Sequence, residues 1–257
     1  MKRPTRRVNH ADGHIYFLDG SKTDGVTGIL KAGVPMNLED WAARETAGYA
    51  IDFWEELAEL KPSERYETLK RARFETRDSA AVRGTEIHKL VWRLARGERP
   101  EVRAELEPYV DAYLRFADED WEVEELLVEA VVGHRAARYM GTLDVIAKLA
   151  DGRRWILDFK TGRAIYPESA LQLAAYRYAE WYIGPDGDEL ELPAVDAAGV
   201  VHLRDDGYSL FEVAADEDAF KLFRHARKVA YFSGAERADY IGEPLTPPSS
   251  RRLEAVS

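Results

Sequence analysis

The chain has 257 residues, of which 46% are hydrophobic and 11% aromatic, and this composition excludes an intrinsically disordered protein. The absence of cysteine excludes disulfides, thiolate-bound zinc and iron–sulfur clusters. No apolar run approaches the roughly 20 residues that cross a bilayer, and the basic N-terminal segment lacks the apolar region of a signal peptide. We therefore expect a cytoplasmic protein without a membrane partner.

The net charge of −11 argues at first against a nucleic-acid partner, because phosphate binding usually requires a basic surface. The charges are unevenly distributed, however. Residues 65–99 hold ten Lys or Arg against five acids, whereas residues 101–129 hold eleven acids against two Arg. Such a chain can present a basic face while it remains acidic overall. Ordinary solvated helix faces explain the same charges equally well.

The first part of the chain predicts a hairpin followed by helices, which together form an N-terminal lobe over residues 1–80. Asn37 is a suitable N-cap for the first helix, Asp78 or Ser79 can cap the third, and Gly97 is a natural stop for it. The predicted elements are a hairpin over 14–30 and helices over 37–60, 62–77 and 78–97.

From Trp121 onwards, Val-rich segments replace the helical periodicity and predict a β-meander followed by a helix. We expect these elements to form a core domain over 81–235, followed by a Pro- and Ser-rich tail over 236–257. The predicted elements after Gly97 are a helix from Pro100 to about Ala117, strands over 121–133, 139–150 and 154–162, a helix over 169–183 capped by Glu168 or Ser169, a strand pair over 200–204 and 208–214, and a helix over 216–234.

The first candidate site is a D-x-K triplet at the end of a buried strand. Because side chains alternate along a strand, Asp158 and Lys160 project from the same face of the segment that starts at Trp155. Two ionisable groups there are costly unless they are paired or take part in chemistry. A local Asp–Lys ion pair is the simpler interpretation, since chance alone supplies about one such triplet in a chain of this length.

A second carboxylate gives the triplet more weight. Asp144 lies inside an apolar strand, where packing gives no reason for a charge, and the ADGRR hairpin can return the chain so that Asp158 lies nearby. Two close carboxylates repel each other unless a cation lies between them, and oxygen ligands without thiolates favour Mg²⁺ or Mn²⁺. One or two such ions can bind a scissile phosphate and activate water. Lys160 would then orient the attacking water or neutralise the phosphate.

Further candidates each have a simpler alternative. His88 can supply an imidazole ligand, with Gly84 on the same helix face allowing a close approach, although a lone helical His is more often hydrogen-bonded or at the surface. Glu129 is a candidate ligand or supporting base, and a solvent-facing glutamate is the simpler interpretation. Gln172 and Tyr176 share a helix face and can contact DNA, whereas ordinary amphipathicity explains Tyr176 well and Gln172 less well.

These residues together resemble the PD-(D/E)XK nuclease superfamily, in particular its RecB-like and lambda-type exonuclease branch. Leu143 stands where the motif that names the superfamily has proline, and the lack of cysteine departs from the members that carry an iron–sulfur cluster. The resemblance rests on four motifs in order: G-x-x-x-H at Gly84 to His88, GTLD ending at Asp144, D-x-K at Asp158 to Lys160, and Q-x-x-x-Y at Gln172 to Tyr176.

The resemblance implies an α/β fold with a mixed central β-sheet flanked by helices, a restriction-endonuclease-like core that follows the N-terminal hairpin and helical lobe. It also implies Mg²⁺ or Mn²⁺ as the cofactor. The implied roles are metal ligation by His88, Asp144 and Asp158, catalysis by the two aspartates with Lys160, and substrate contact by Gln172 and Tyr176.

The leading hypothesis is a metal-dependent deoxyribonuclease, an exonuclease of DNA recombination, repair or phage replication in a bacterium or a phage-infected cell. One alternative is a non-catalytic subunit that binds DNA ends or supports assembly and keeps the nuclease fold. Another is a metal-dependent hydrolase of a smaller phosphoester. DNA is the expected partner, and a homo-oligomer or a recombination partner protein is compatible with the sequence by analogy only.

Overall fold

A computed structural model of the chain describes residues 5–10, 13–35 and 38–233, together with positions 242 and 244. The strands in this range are β1 (Arg6–His10), β2 (Gly13–Leu18), β3 (Ser21–Gly25), β4 (Glu124–His134), β5 (Tyr139–Lys148), β6 (Arg154–Lys160), β7 (Trp181–Ile183), β8 (Glu189–Glu191), β9 (Ala197–Arg204) and β10 (Gly207–Glu212). The helices are α1 (Val26–Gly33), α2 (Leu38–Asp52), α3 (Trp54–Glu59), α4 (Pro62–Ala95), α5 (Glu107–Leu114), α6 (Glu168–Arg177) and α7 (Glu217–Ser233). A 3₁₀ turn (Ala104–Leu106) precedes α5, and a π-helical turn (Arg115–Asp120) follows it.

Seven strands form one curled mixed sheet in the order β10-β9-β6-β5-β4-β7-β8. Neighbouring strands in this series are antiparallel, except that β6 and β9 run parallel. The strands β1, β2 and β3 form an antiparallel meander, and β3 joins the start of β5 in parallel. The predicted mixed α/β fold is therefore confirmed, including the antiparallel neighbours β4, β5 and β6.

On one edge of β5, the strands β3 and β6 pair with different parts of the strand and leave a gap between them. The opposite edge pairs with β4 from Tyr139 to Lys148, with Asp144 as the residue that the register omits. On the shared edge, β3 pairs with Tyr139 and Met140, whereas β6 pairs only from Val145 onwards. The residues from Gly141 to Asp144 have no strand partner on that edge among the paired residues of the described chain. Neighbouring strands that diverge in this way form a crevice, as they do in open α/β sheets.

The sheet is buried on both faces because helices cover each of them. One apolar cluster joins α1, α6 and α7 to one face of the sheet, and a second joins α4 and α5 to the other face. Along β6, Trp155 and Phe159 belong to the second cluster and Ile156 to the first, so the predicted alternation of this strand is confirmed. No described helix has both the length and the apolar content that are needed to cross a membrane.

The predicted N-terminal hairpin is right in its first half and wrong in its second. The chain turns at Asp19 and Gly20, which have φ angles of 50° and 79°, so the return strand β3 begins immediately after them. Positive φ at both central residues is the geometry of a tight two-residue hairpin. The apolar run that follows forms α1, because Val26, Ile29 and Leu30 lie at helical spacing and are buried on one face.

The predicted break between two helices at Arg77 is wrong. The helix α4 runs through Asp78 and Ser79 without interruption, so neither residue caps a helix. Gly97, with a φ of 75°, lies just beyond the end of α4 and is confirmed as its stop. The helix predicted over 37–60 is divided into α2 and α3, and its predicted cap Asn37 lies outside the described residues, as does most of the tail over 236–257.

In the second half of the chain, the predicted helix after Pro100 begins later than expected, with a 3₁₀ turn before α5. The helix predicted over 169–183 ends at Arg177, and its last part is the strand β7, which pairs with β4 and β8. Its expected cap at Glu168 or Ser169 is wrong, because α6 begins after Pro167 without a side-chain cap. The strand pair β9 and β10 and the helix α7 are confirmed.

Candidate active site

A cleft of about 760 Å³ opens at the gap in the edge of β5. Side chains from β1, β2, α1, α4, β4, β5, β6 and α6 line it, so the cleft depends on both the N-terminal elements and the sheet. The structure brings all of the predicted site residues to this cleft: His88, Glu129, Asp144, Asp158, Lys160, Gln172 and Tyr176.

Asp144 lies where the pairing of β5 with β6 ends. Its Oδ2 accepts a hydrogen bond of 2.9 Å from the backbone N–H of Phe159. This side-chain hydrogen bond links β5 to β6 just beyond the last backbone pair of the two strands. The residue is 9% exposed. Burial alone would raise the pKa of this carboxyl, but the imidazole of His88, the Phe159 N–H and the ammonium of Lys160 outweigh it and lower the pKa. Asp144 is therefore held as a buried carboxylate.

His88 faces Asp144 from α4, with its Nδ1 3.5 Å from Asp144 Oδ2. Burial opposes protonation of this imidazole, but the carboxylates of Asp144 and Asp158 outweigh burial and raise its pKa. The helix can approach this closely because a Cβ at Gly84 would lie 3.1 Å from Thr161 Oγ1, in the loop after β6. This distance is shorter than an ordinary van der Waals contact, so a side chain at position 84 would require Thr161 to move.

Asp158, Lys160 and Gln172 form a closed polar group beside Asp144. Asp158 Oδ2 lies 2.7 Å from Lys160 Nζ, and its Oδ1 accepts a hydrogen bond of 2.7 Å from Gln172 Nε2. Lys160 Nζ donates in turn to Gln172 Oε1 at 3.4 Å. The ion pair that the sequence suggested is present; its carboxylate is buried, since Asp158 is only 2% exposed, whereas the side chain of Lys160 is half-buried.

The two aspartates are shifted in opposite directions. Burial raises the pKa of Asp158, and the nearby Asp144 carboxylate adds to this effect against the opposing charge of Lys160. Burial would lower the pKa of Lys160, but the carboxylates of Asp158 and Asp144 raise it instead. Titratable groups whose environments push their pKa values apart are typical of catalytic sites, although structural ion pairs also produce such shifts.

The donor atoms in this cleft fit a divalent cation chemically. In the present side-chain positions, no three His, Asp or Glu side chains of the described residues lie close enough together to hold a metal ion, so binding would require side chains to move. However, the buried Oδ2 of Asp158 has no hydrogen-bond donor in good geometry within the described part of the chain, although the ammonium of Lys160 lies 2.7 Å from it. Two buried carboxylates with free lone pairs and an adjacent imidazole suit Mg²⁺ or Mn²⁺, and the cation would compete with Lys160 for Asp158.

Glu129 reaches the same cleft, but arginines occupy its carboxylate. Its Oε1 accepts from Arg7 Nη2 at 3.1 Å, and its Oε2 lies 3.4 Å from Arg96 Nη2. Its side chain is 19% exposed, so the interpretation as a solvent-facing glutamate is wrong. Arg7 also donates to Thr142 Oγ1 at 3.0 Å. Sequence reasoning missed Arg7, for which the basic N-terminal segment was the only signal.

Tyr176 is a core residue that borders the cleft. It is 3% exposed, and a Cβ at Gly141 would lie 2.5 Å from its ring, so the glycine of the GTLD segment makes room for it. Burial raises the pKa of its hydroxyl well above the usual range.

Sequence reasoning also missed His202 on β9. Its Nε2–H donates a hydrogen bond of 2.6 Å to the carbonyl of Gly162 and holds the loop after Lys160.

We expect Gly84→Val to destabilise the fold by about 1–3 kcal/mol, because the added methyl groups would collide with Thr161 and push α4 away from β6. Urea unfolding of the single variants and of Gly84→Val combined with Thr161→Ala gives a double-mutant cycle. The second substitution is expected to restore part of the loss. Strictly additive effects would show that the two positions do not touch.

Comparisons with known proteins give similarities of structure only. No protein-family profile matches the chain, and no curated protein matches it. The structure is similar to that of SSO0001, with a TM-score of 0.32 and 14% identity over 81% of this chain and 75% of the other. It is also similar to the exonuclease LHK-Exo in complex with dAMP, with a TM-score of 0.32 and 16% identity over 67% of this chain and 86% of the other. Scores this low carry no functional argument.

Proposed function

We propose that the chain is a metal-dependent deoxyribonuclease of the PD-(D/E)XK type that hydrolyses phosphodiester bonds, and that it acts as an exonuclease in DNA recombination, repair or phage replication. The observation that carries the proposal is the convergence of Asp144, Asp158 and Lys160 in one cleft, with His88 against the first carboxylate and Gln172 against the second. Five polar residues from four separate elements meet there, which ordinary packing does not require.

Asp144 and Asp158 would hold Mg²⁺ or Mn²⁺, with His88 as a nitrogen ligand once it has lost its proton. The bound cation would polarise the scissile phosphate and lower the pKa of a water molecule. The backbone N–H of Phe159 keeps Asp144 in place, and Gln172 orients Asp158. The ammonium of Lys160, released from Asp158, would then neutralise the phosphate or orient the attacking water.

The surroundings of the cleft suit a polyanionic substrate despite the acidic net charge. Lys89 of α4 lines the cleft beside the carboxylates and is exposed, whereas Arg7 of β1 lines it as the partner of Glu129. A positive group at the rim of an otherwise acidic site raises the local concentration of an anionic substrate. The proposed substrate is DNA, whose backbone phosphates would contact Lys89.

The test is an assay of end-labelled linear DNA and of circular DNA, each single- and double-stranded, with Mg²⁺, with Mn²⁺ and with EDTA. We expect degradation of linear DNA with either cation and none in EDTA, because the carboxylates alone cannot activate water for phosphodiester attack. A mononucleotide ester is the control substrate. Cleavage of that ester but not of DNA would favour the small-phosphoester hydrolase. DNA binding without any cleavage would favour the non-catalytic subunit.

A further inference from the structure

A second pocket, of about 680 Å³, adjoins the catalytic cleft. The two share Thr27, Lys160 and Gln172, so the pocket is continuous with the cleft at the proposed catalytic lysine. Its remaining walls come from α1, α2, the loop after β6 and the start of α6. A pocket of this size is in the range that binds small organic groups.

The chemistry of the second pocket differs from that of the cleft. Its lining is mainly apolar and includes two aromatic side chains, Trp41 of α2 and Tyr166 of the loop before α6. Trp41 is half-buried and Tyr166 is 48% exposed, so both rings present area to the pocket. Lys31 and Arg44 supply positive charge to the lining, and Asp40 and Glu168 supply two carboxylates. Arg44 Nε lies 2.9 Å from Asp40 Oδ2, so a bound strand would rely on Lys31 and the shared Lys160 for positive charge. The proposed hydrolysis uses neither of the rings.

We propose that this pocket binds an unpaired nucleobase next to the scissile phosphate, with Trp41 and Tyr166 as its stacking surfaces; this inference rests on the proposed function. A DNA strand whose phosphate lies at Lys160 has its adjacent nucleotide beside the shared wall of the pocket. Aromatic side chains next to cationic groups bind single-stranded nucleic acid through base stacking and backbone charge, and the stacking tolerates any base.

The pocket therefore predicts which DNA the protein prefers. A base inside a duplex is already stacked and paired, and its removal costs a few kcal/mol, whereas a base in a single strand or overhang is free to enter. Single strands and duplexes with unpaired ends are thus expected to bind more tightly than blunt duplexes. The apolar walls at Leu30, Ile165 and Pro167 would contact the faces and edges of the base without selecting one base. Glu168 and Ser169, in contrast, are polar groups of the lining that could accept a hydrogen bond from the base.

The test uses single-stranded oligonucleotides with 2-aminopurine at successive positions, in Ca²⁺ to prevent cleavage, with fluorescence and anisotropy as readouts. We expect quenching at one position or two adjacent positions on binding to the wild-type protein. Trp41→Ala and Tyr166→Ala are each expected to weaken binding about 5- to 100-fold and to reduce the quenching. Trp41→Phe should restore most of both. The matched control is Trp54→Ala, because Trp54 is 68% exposed and lies on α3, outside both pockets.

The outcomes separate this inference from the proposed function. Wild-type cleavage of DNA, together with unchanged binding and quenching in both alanine variants, would overturn the stacking pocket and leave the nuclease in place. Position-specific quenching that depends on Trp41, in a protein that cleaves no DNA with Mg²⁺ or Mn²⁺, would support the pocket and reject the nuclease. An equal loss of affinity in Trp54→Ala would also overturn the pocket.

Discussion

Asp158→Asn is expected to lower the rate of DNA hydrolysis by at least about 10³-fold while the fold remains intact. Asparagine keeps the size of the side chain and its contact with Gln172, but it removes the negative charge that the proposed cation requires. The measurement is the initial rate of release of labelled nucleotides from linear DNA in saturating Mn²⁺. Circular dichroism and urea unfolding of the same preparation report on the fold.

Lys160→Ala is expected to reduce the rate by about 10²- to 10³-fold, because the positive charge next to the reacting phosphate is lost. The matched control is Lys148→Ala at the far end of β5, an exposed lysine that lines neither pocket. That control is expected to keep wild-type activity. Undiminished cleavage in both Lys160→Ala and Asp158→Asn would contradict the assignment of the D-x-K triplet.

Gly33→Ala is expected to destabilise the protein by about 3 kcal/mol. Gly33 ends α1 against α7, and a Cβ there would lie 2.0 Å from the carbonyl oxygen of Ala226. Because that atom belongs to the backbone of a packed helix, no rotamer change can relieve the collision, and the two helices must move apart. The first residues of α1, Val26 and Thr27, line the candidate cleft, so the proposed activity should fall with stability. Urea unfolding measures the change.

Gly28→Ala is the control within the same helix. A Cβ at this position meets no atom within 4 Å, and alanine removes the entropic disadvantage of glycine inside a helix. Stability is expected to rise by about 0.5–1 kcal/mol. Equal effects of the two substitutions would show that α1 does not pack against α7 as described.

Most of the side chains that meet in the cleft could be brought together from the sequence because the signals are local. Strand alternation placed Asp158 and Lys160 on one face, and a short hairpin returned Asp144 to their neighbourhood. A four-residue helical spacing brought Gln172 and Tyr176 to the same cleft. Each of these inferences spans few residues, so the regular geometry of one element or one turn decides it.

Among contacts between distant segments, the sequence predicted the approach of His88 to Asp144 but not the contact of Arg7 with Glu129 or the second pocket. Arg7 reaches Glu129 because the pairing of β3 with β5 brings the N-terminal meander to the sheet. No local sequence pattern predicts that pairing. The second pocket likewise requires α1 and α2 to pack near the loop after β6. Two predicted element boundaries were wrong because the local sequence is ambiguous. Helix-forming residues on both sides of Asp78 allow α4 to continue through it, and the apolar run after β3 is compatible with a strand as well as with the helix α1.

Cation-dependent hydrolysis of DNA at the cleft beside the gap in β5 can be tested with the wild-type protein and Asp158→Asn from parallel purifications. Each is assayed with Mn²⁺ and with EDTA by release of labelled nucleotides from linear DNA. We expect release only by the wild-type protein with Mn²⁺. Comparable release by Asp158→Asn, or release by the wild-type protein in EDTA, would show that the cleft is not a metal-dependent nuclease site.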